Sequence, residues 1–226
     1  MRLAAALLVL GVVAGCATQE DAISRTAVMS PPAEILIFAE AMHIADPGFR
    51  AEGSAVPFGE NLLLTARHAV PIGKELLLNG KQVTFDLLKA GEGAGPESDW
   101  AYIRVNGVRS RVRVDFDSPL PAGRPIYLVG YWWAKEGKSA FPRPPCVVCG
   151  EVLAKKGSWD LPEQVLPVAL PHESLLSGMS GGAALTINPV TNEPVLVGIY
   201  KGRKEWRLFG SVLASVHEVV RPAWRP

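Results

Sequence analysis

Short apolar or alternating runs, separated by turn residues, follow one another along most of the chain. Alternation of apolar and polar positions is the pattern of a strand with one buried face. The chain also has 22 glycines and 19 prolines, which supply many turns. Short strands at this spacing are typical of an all-β sandwich or barrel. The predicted strands lie at 53–58, 61–65, 75–78, 82–88, 100–105, 125–131, 147–153, 164–169, 183–187 and 195–200.

The C-terminal run, residues 212–220, has a different pattern. Its main apolar residues lie near helical spacing, at Leu213, Val216, Val219 and Val220. We therefore predict one short C-terminal helix that closes the domain.

Residues 1–15 have the pattern of a signal peptide. A positive start at Arg2 precedes an almost wholly apolar stretch, residues 3–13, and small residues follow. This stretch is too short to cross a bilayer as a helix, which takes about 20 residues. Residues 16–32 are polar and end in two prolines, so they are predicted to be a tether to a folded part that begins at residue 33.

The end of the predicted signal peptide, Val13-Ala14-Gly15-Cys16, resembles a bacterial lipobox. The resemblance implies that Cys16 is diacylated and becomes the new N-terminus, and two acyl chains anchor a protein stably. It also implies a place in the bacterial cell envelope, on the outer membrane facing the periplasm in a Gram-negative cell. An ordinary secretory signal that is cut elsewhere, with Cys16 incidental, is the alternative.

Composition and charge exclude some classes of partner. Hydrophobic residues make up 48% of the chain and charged residues 20%, which is typical of a globular protein. The formal net charge is only +1, so no global field favours nucleic acid or an anionic membrane surface. Contact with a membrane is therefore expected only through the lipid.

Two cysteines form a Cys-x-x-Cys motif at Cys146 and Cys149. Such a pair can be a redox centre, half of a zinc site or a local disulfide. Prolines before it and Gly150 after it favour a loop and a strand over the helix that redox motifs prefer. Zinc needs two more ligands, and none cluster nearby, so no metal is predicted. A structural disulfide is the favoured interpretation, and a pair of unpaired buried cysteines is the alternative.

Three segments carry the candidate chemistry, and each has an ordinary structural alternative. His68 follows the apolar run Leu62-Leu63-Leu64, where the chain is expected to leave its sheet at a reachable rim. Asp99 precedes an alternating strand, although a turn residue is the simpler explanation, and Asp86 is a weaker rival inside a strand-like run. Ser180 lies in Gly178-Met179-Ser180-Gly181-Gly182, where glycines permit a tight loop. Together, a histidine, a carboxylate and a serine can make a hydroxyl into an acyl-transfer nucleophile.

In their order and flanking residues, these segments resemble the trypsin-like (chymotrypsin-fold) serine peptidases. The resemblance implies two antiparallel β-barrels, at 33–115 and 116–226, with the active site in the cleft between them. It implies a serine-type endopeptidase that acts on protein or peptide substrates without a cofactor. In that scheme His68 is the base, Asp99 orients it, Ser180 attacks, and the amides of Gly178 and Ser180 form the oxyanion hole.

The same resemblance locates a specificity pocket. Its pocket residues would be Ser174, Ile199, Tyr200 and Gly202. Ser174 is neutral, so a small or apolar residue before the scissile bond is expected. An attraction of acidic substrates to Lys201, Arg203 and Lys204 is the alternative, and a solvated loop is the simpler explanation.

Met179 stands where animal digestive enzymes carry an aspartate that pairs with a newly cut N-terminus. Activation by cleavage is therefore not expected.

Two other functions stay open beside the peptidase. A catalytically inactive lipoprotein of the same fold could act as a binding or scaffold module, since fold does not imply function. An esterase is less favoured, because Gly178-Met179-Ser180-Gly181-Gly182 precedes a strand-like run and lacks the strand-to-helix setting of a nucleophile elbow. The sequence makes no prediction of oligomeric state.

Overall fold

The computed structural model describes residues 31–37, 41–48, 52–110, 112–131, 145–170, 178–208 and 211–223. The predicted signal peptide, the lipidation site Cys16, most of the tether and the pocket residue Ser174 lie outside these ranges. The described part begins with one short helix, α1 (Ala33–Ile37), and is otherwise built almost wholly of strands.

The first sheet is antiparallel and has seven strands within the described residues. Its spatial order is β5-β4-β1-β2-β3-β7-β6, and its two edge strands do not pair with each other there, which makes it a half-barrel. The strands are β1 (Met42–Ala45), β2 (Glu52–Pro57), β3 (Glu60–Thr65), β4 (Glu75–Leu78), β5 (Lys81–Thr84), β6 (Asp86–Ala90) and β7 (Ala101–Arg109).

The second sheet closes on itself. Its order is β12-β9-β10-β11-β14-β13-β8, and a further pairing of β12 with β13 closes the barrel. Among the described strands of this sheet, only the short β8 runs parallel to its neighbour, β13. The strands are β8 (Arg113–Val114), β9 (Pro125–Gly130), β10 (Cys146–Val152), β11 (Val165–Ala169), β12 (Ala183–Ile187), β13 (Pro194–Leu208) and β14 (Ser211–Val220).

The prediction of an all-β fold of two barrel-like sheets is confirmed, and the predicted C-terminal helix is wrong. Residues 211–220 form β14, which pairs with β11 on one side and β13 on the other. Residues 216–220 are all buried. A strand buried on both faces shows no alternation, so its valines fit a helical spacing by chance. β8 lies just before the predicted domain boundary at residue 115 and pairs with β13 of the second sheet.

The predicted disulfide is also wrong. Cys146 and Cys149 are both free, the first exposed and the second buried, and both lie in β10. Residues three apart in a strand point to opposite faces and are roughly 10 Å apart. A disulfide needs Cα atoms within about 7 Å.

The apolar core joins the two sheets. One cluster of buried residues includes Leu63 and Tyr102 from the first sheet together with Val129, Leu185 and Ile199 from the second. Edges of the two sheets therefore lie close together around this shared core, and the candidate site lies between them.

Candidate active site

His68 lies in a short 3-10 turn that directly follows β3. The turn spans Arg67–Ala69, and Ala69 N–H donates to the carbonyl of Ala66 at 3.0 Å. Ala66 and Ala69 are buried, which fixes the turn to the core, while the side chain of His68 remains 51% exposed. His68 therefore lies at the end of a strand with its side chain accessible to solvent, as the sequence predicted.

Asp99 lies beside His68 because of the pairing of two strands. β3 and β7 are antiparallel, with Thr65 opposite Ala101. The chain that leaves β3 and the chain that enters β7 therefore meet at one edge of the sheet. Asp99 comes just before β7, after a 3-10 turn at Pro96–Ser98. Asp86, the rival carboxylate, is exposed on β6 and pairs in register with Arg104.

The carboxylate of Asp99 contacts His68 twice. Its Oδ2 lies 2.7 Å from Nδ1 of the imidazole, and its Oδ1 accepts the backbone N–H of His68 at 3.0 Å. Burial alone raises the pKa of Asp99, but the hydrogen bonds and charge of His68, with a smaller contribution from Lys201, hold this pKa below its ordinary value. An ionised carboxylate can only accept, so Nδ1 carries the proton and Nε2 of a neutral ring is left as a base.

Ser180 belongs to the second barrel but is held against the first sheet by Ser54 of β2. Ser54 N–H donates to the carbonyl of Ser180 at 2.7 Å, and Ser54 Oγ donates to the carbonyl of Gly178 at 2.9 Å. Ser54 Oγ also accepts the N–H of Tyr131 at 2.8 Å. One small side chain therefore fixes the serine loop to both halves of the fold.

Two glycines permit this close approach. A Cβ on Gly53 would lie 2.7 Å from both Ala69 Cβ and Ser180 O. Ala69 is the neighbour of His68. The missing side chain at Gly53 therefore lets the histidine turn and the serine loop lie close together. Gly181 has φ +84°, and a Cβ there would collide with Ser54 O and Thr65 Oγ1.

We expect Gly181→Ala to destabilise the protein far more than Gly107→Ala does. Gly107 has nearly the same φ, +85°, but no atom lies within 4 Å of its Cβ position, so this variant measures backbone strain alone, about 1–2 kcal/mol. Gly181→Ala adds the collision, for a total of roughly 3–5 kcal/mol in the free energy of unfolding. Urea denaturation of both variants measures this difference, and equal losses would contradict the packing.

The hydroxyl of Ser180 donates to the backbone carbonyl of Lys201 at 3.0 Å. Among the described residues there is no hydrogen bond between Ser180 and His68. The His68–Asp99 pair is thus formed while the serine hydroxyl is turned towards β13. Catalytic hydrogen bonds are often absent or long in a structure without substrate.

The two amides predicted for the oxyanion hole lie in the same turn. Gly178 has φ +88°, and the turn is closed by a bond from Gly182 N–H to Met179 O at 2.8 Å. Within the described ranges, neither Gly178 N–H nor Ser180 N–H donates to a protein acceptor. Both donors are therefore compatible with an external acceptor. Met179 itself is completely buried, in the core of the second barrel.

The predicted pocket residues are mostly in the core. Ile199 and Tyr200 are 0% and 2% exposed, so any contact they make with a ligand is through the backbone. Tyr200 OH lies 2.8 Å from Nδ1 of the buried His217. Gly202 is half-buried, with φ +157°.

The Tyr200–His217 pair gives a pH prediction. Burial raises the pKa of Tyr200, so its hydroxyl stays protonated and donates. Burial, aided by the charge of Arg203, lowers the pKa of His217 to about 4 from 6.5. At this site the unfolded chain therefore binds more protons between these values, and His217 alone lowers the free energy of unfolding by roughly 3 kcal/mol as the pH drops from 6.5 to 4. Burial also lowers the pKa of His43 to about 4. Urea denaturation of the protein and of His217→Gln across this range therefore isolates the loss that is due to His217, and an NMR titration of His217 near pH 6.5 would contradict it.

A cavity of 580 Å³ opens beside His68, between the loop before Asp99 and β13. The lining residues that sequence reasoning missed include Arg67 and Glu218. Glu218 is 1% exposed and lies 2.6 Å from Lys201 Nζ. A carboxylate inside the valine-rich run at 212–220 was the signal that could have found it. The lining consists of Arg67, His68, Gly93, Ala94, Gly95, Pro96, Ser98, Asp99, Lys201, Arg203, Lys204 and Glu218.

The described residues contain no cluster of three or more histidine, cysteine, aspartate or glutamate side chains that could hold a metal ion. In the same part of the chain, no helix has the length and hydropathy needed to cross a membrane.

The fold is similar to that of a solved protease. The crystal structure of the serine endoprotease from Yersinia pestis superposes with a TM-score of 0.54 at 16% sequence identity, covering 85% of this chain. This chain spans 64% of the length of that one. The likeness shows the chymotrypsin-like double β-barrel fold. No family profile and no curated protein sequence matches the chain.

Proposed function

We propose that this chain is a serine-type endopeptidase that hydrolyses peptide bonds through an acyl-enzyme. The observation that carries the proposal is the doubly bonded His68–Asp99 pair, at the edge against which Ser54 holds the Ser180 loop. A protease-like fold supports it, and so does the order of the three residues along the chain.

The proposed reaction begins when the Ser180 hydroxyl leaves the carbonyl of Lys201 and turns towards His68. His68 Nε2 accepts the hydroxyl proton as Ser180 Oγ attacks the substrate carbonyl, and Asp99 stabilises the imidazolium. The amides of Gly178 and Ser180 stabilise the oxyanion. His68 then protonates the leaving amine. It next takes a proton from water, which attacks the ester carbonyl, and returns that proton to Ser180 Oγ as the bond from Oγ to the carbonyl carbon breaks.

The edge of β13 is suited to hold an extended peptide. β12 pairs with β13 only as far as Ile199, whereas β14 continues along the other side to Leu208. On the β12 side, Tyr200 bonds to Gly181 and Gly182 of the serine loop, and beyond Tyr200 no described strand pairs with β13. An antiparallel peptide added at this edge would end near Ser180, because the carbonyl of Lys201 is the one that accepts the Ser180 hydroxyl.

Anchoring through Cys16 is a separate part of the proposal. The lipobox-like sequence supports attachment to the bacterial envelope, with the enzyme on the outer membrane facing the periplasm. Metabolic labelling with an alkyne fatty acid is expected to mark the full chain and not the Cys16→Ser variant. Equal labelling of both, or of neither, would contradict lipidation at Cys16.

Covalent labelling with a fluorophosphonate probe tests the peptidase. The probe is expected to modify Ser180 at neutral pH, as located by mass spectrometry, and to leave Ser180→Ala unmodified. If Ser180 is not modified in the folded protein, the peptidase proposal fails. The alternative, a catalytically inactive binding or scaffold lipoprotein, would then be favoured.

A further inference from the structure

The cavity beside His68 has an unusual balance of charge. Four cationic side chains lie on its wall, at Arg67, Lys201, Arg203 and Lys204. Only two carboxylates do so, at Asp99 and Glu218. The lining is therefore cationic overall, although the net charge of the whole chain is only +1.

Both carboxylates on the wall already have a cationic or hydrogen-bonding partner. Asp99 is bonded to His68, and Glu218 is paired with Lys201. Asp99 keeps its negative charge because its ring partner is neutral, and this charge also attracts Lys201. The lining nevertheless keeps an excess of positive charge, because its four basic side chains outnumber its two carboxylates.

Arg67, Arg203 and Lys204 each have a partner that is not one of the cavity carboxylates. Arg67 Nη1 donates to the carbonyls of Gly91 and Gly93 at 2.8 and 3.2 Å, and neutral carbonyls leave its charge undiminished. Lys204 Nζ donates to the carbonyl of Trp159 at 3.4 Å. Arg203 pairs with Glu205, which does not line the cavity.

The wall is also partly withdrawn from water. The side chain of Arg203 is only 14% exposed and that of Lys201 29% exposed. A solvated loop would leave such side chains extended into water. Charges at a partly buried concave wall are less screened and act more strongly on a bound anion.

We propose that this cavity binds an acidic side chain of the substrate, on the N-terminal side of the scissile bond. The assignment of the bound peptide as a substrate rests on the proposed peptidase function. β13 runs from Tyr200, beside the serine loop, to Lys204, so an antiparallel peptide that reaches Ser180 has its earlier residues beside Lys201–Lys204. A carboxylate there would receive charge-assisted hydrogen bonds from the lysine and arginine side chains.

Peptide binding to the inactive Ser180→Ala protein tests the proposal without any need for hydrolysis. The probes are fluorescein-labelled peptides in which one glutamate occupies successive positions, each compared with its glutamine counterpart by fluorescence anisotropy. We expect one position at which glutamate binds roughly 10- to 100-fold more tightly than glutamine, since bonds to charged groups have about that effect. The preference is expected to shrink as salt is added.

Two charge-reversal variants distinguish a local effect of the cavity from an effect of the protein's net charge. Lys204→Glu, in the Ser180→Ala background, is expected to abolish or invert the preference for glutamate. Lys81→Glu is the matched control, because it changes the net charge equally on exposed β5 of the first sheet, away from the cavity lining. Circular dichroism of both variants checks that they fold.

Several results would overturn the proposal. They are equal binding of glutamate and glutamine peptides, no measurable binding of either, or an equal loss of preference in Lys204→Glu and Lys81→Glu. Fluorophosphonate labelling of Ser180 would be unaffected by any of these. Conversely, a cavity-dependent preference for glutamate without labelling of Ser180 would support the acidic-ligand site and overturn the peptidase.

Discussion

Replacing Ser180 with alanine is expected to lower kcat for a peptide substrate by about 10⁶-fold. The proposed reaction uses Ser180 as its nucleophile, and this hydroxyl donates to β13 in a loop that lies beside the histidine turn. Single-turnover and steady-state assays with a fluorogenic peptide measure this loss. A fall of less than about tenfold would show that the serine does not form an acyl-enzyme.

His68→Ala and the double variant provide the control for that result. Groups that act as one unit in a reaction are strongly non-additive, so both single variants and the double variant are expected to have similar residual rates. Multiplied losses in the double variant would mean that Ser180 and His68 act independently.

Asp99→Asn is expected to lower kcat by about 10⁴-fold, with little effect on folding. Both oxygens of Asp99 accept from His68, one from the ring and one from the backbone. An asparagine can keep only one acceptor, and its NH₂ group favours the tautomer that places the proton on Nε2. The ring would then be unable to accept the hydroxyl proton.

The matched control for this variant is Asp86→Asn, which removes the rival carboxylate from an exposed position on β6. It is expected to keep full kcat. Equal losses in the two variants would contradict the assignment of Asp99 as the orienting group. Urea denaturation of both separates a catalytic loss from a folding loss.

Sequence patterns predicted those parts of the site that depend on neighbours along the chain. His68 follows an apolar strand, and Ser180 lies in a glycine-rich turn, so both are visible as local motifs. The choice of Asp99 over Asp86 depends on the pairing of β3 with β7, and only the motif order indicated it.

The parts that were missed depend on contacts between distant residues. In β13 and β14, Gly202 lies opposite Glu218, and this register brings Lys201 to the glutamate. Because we predicted a helix at 212–220, we did not predict this pairing of strands. The free cysteines of β10 were missed for a related reason, since only an observed strand shows that they point to opposite faces.

The bonds of Ser54 tie the proposed chemistry to the docking of the two halves of the fold. Its N–H and hydroxyl contact the serine loop from the other barrel, and its oxygen accepts from Tyr131. A chain with only one barrel folded would lack this clamp, and His68 and Ser180 would not yet be neighbours. Under the proposed mechanism, an incompletely folded copy would be harmless to the proteins around it, because competence to cut arises only when the two halves dock.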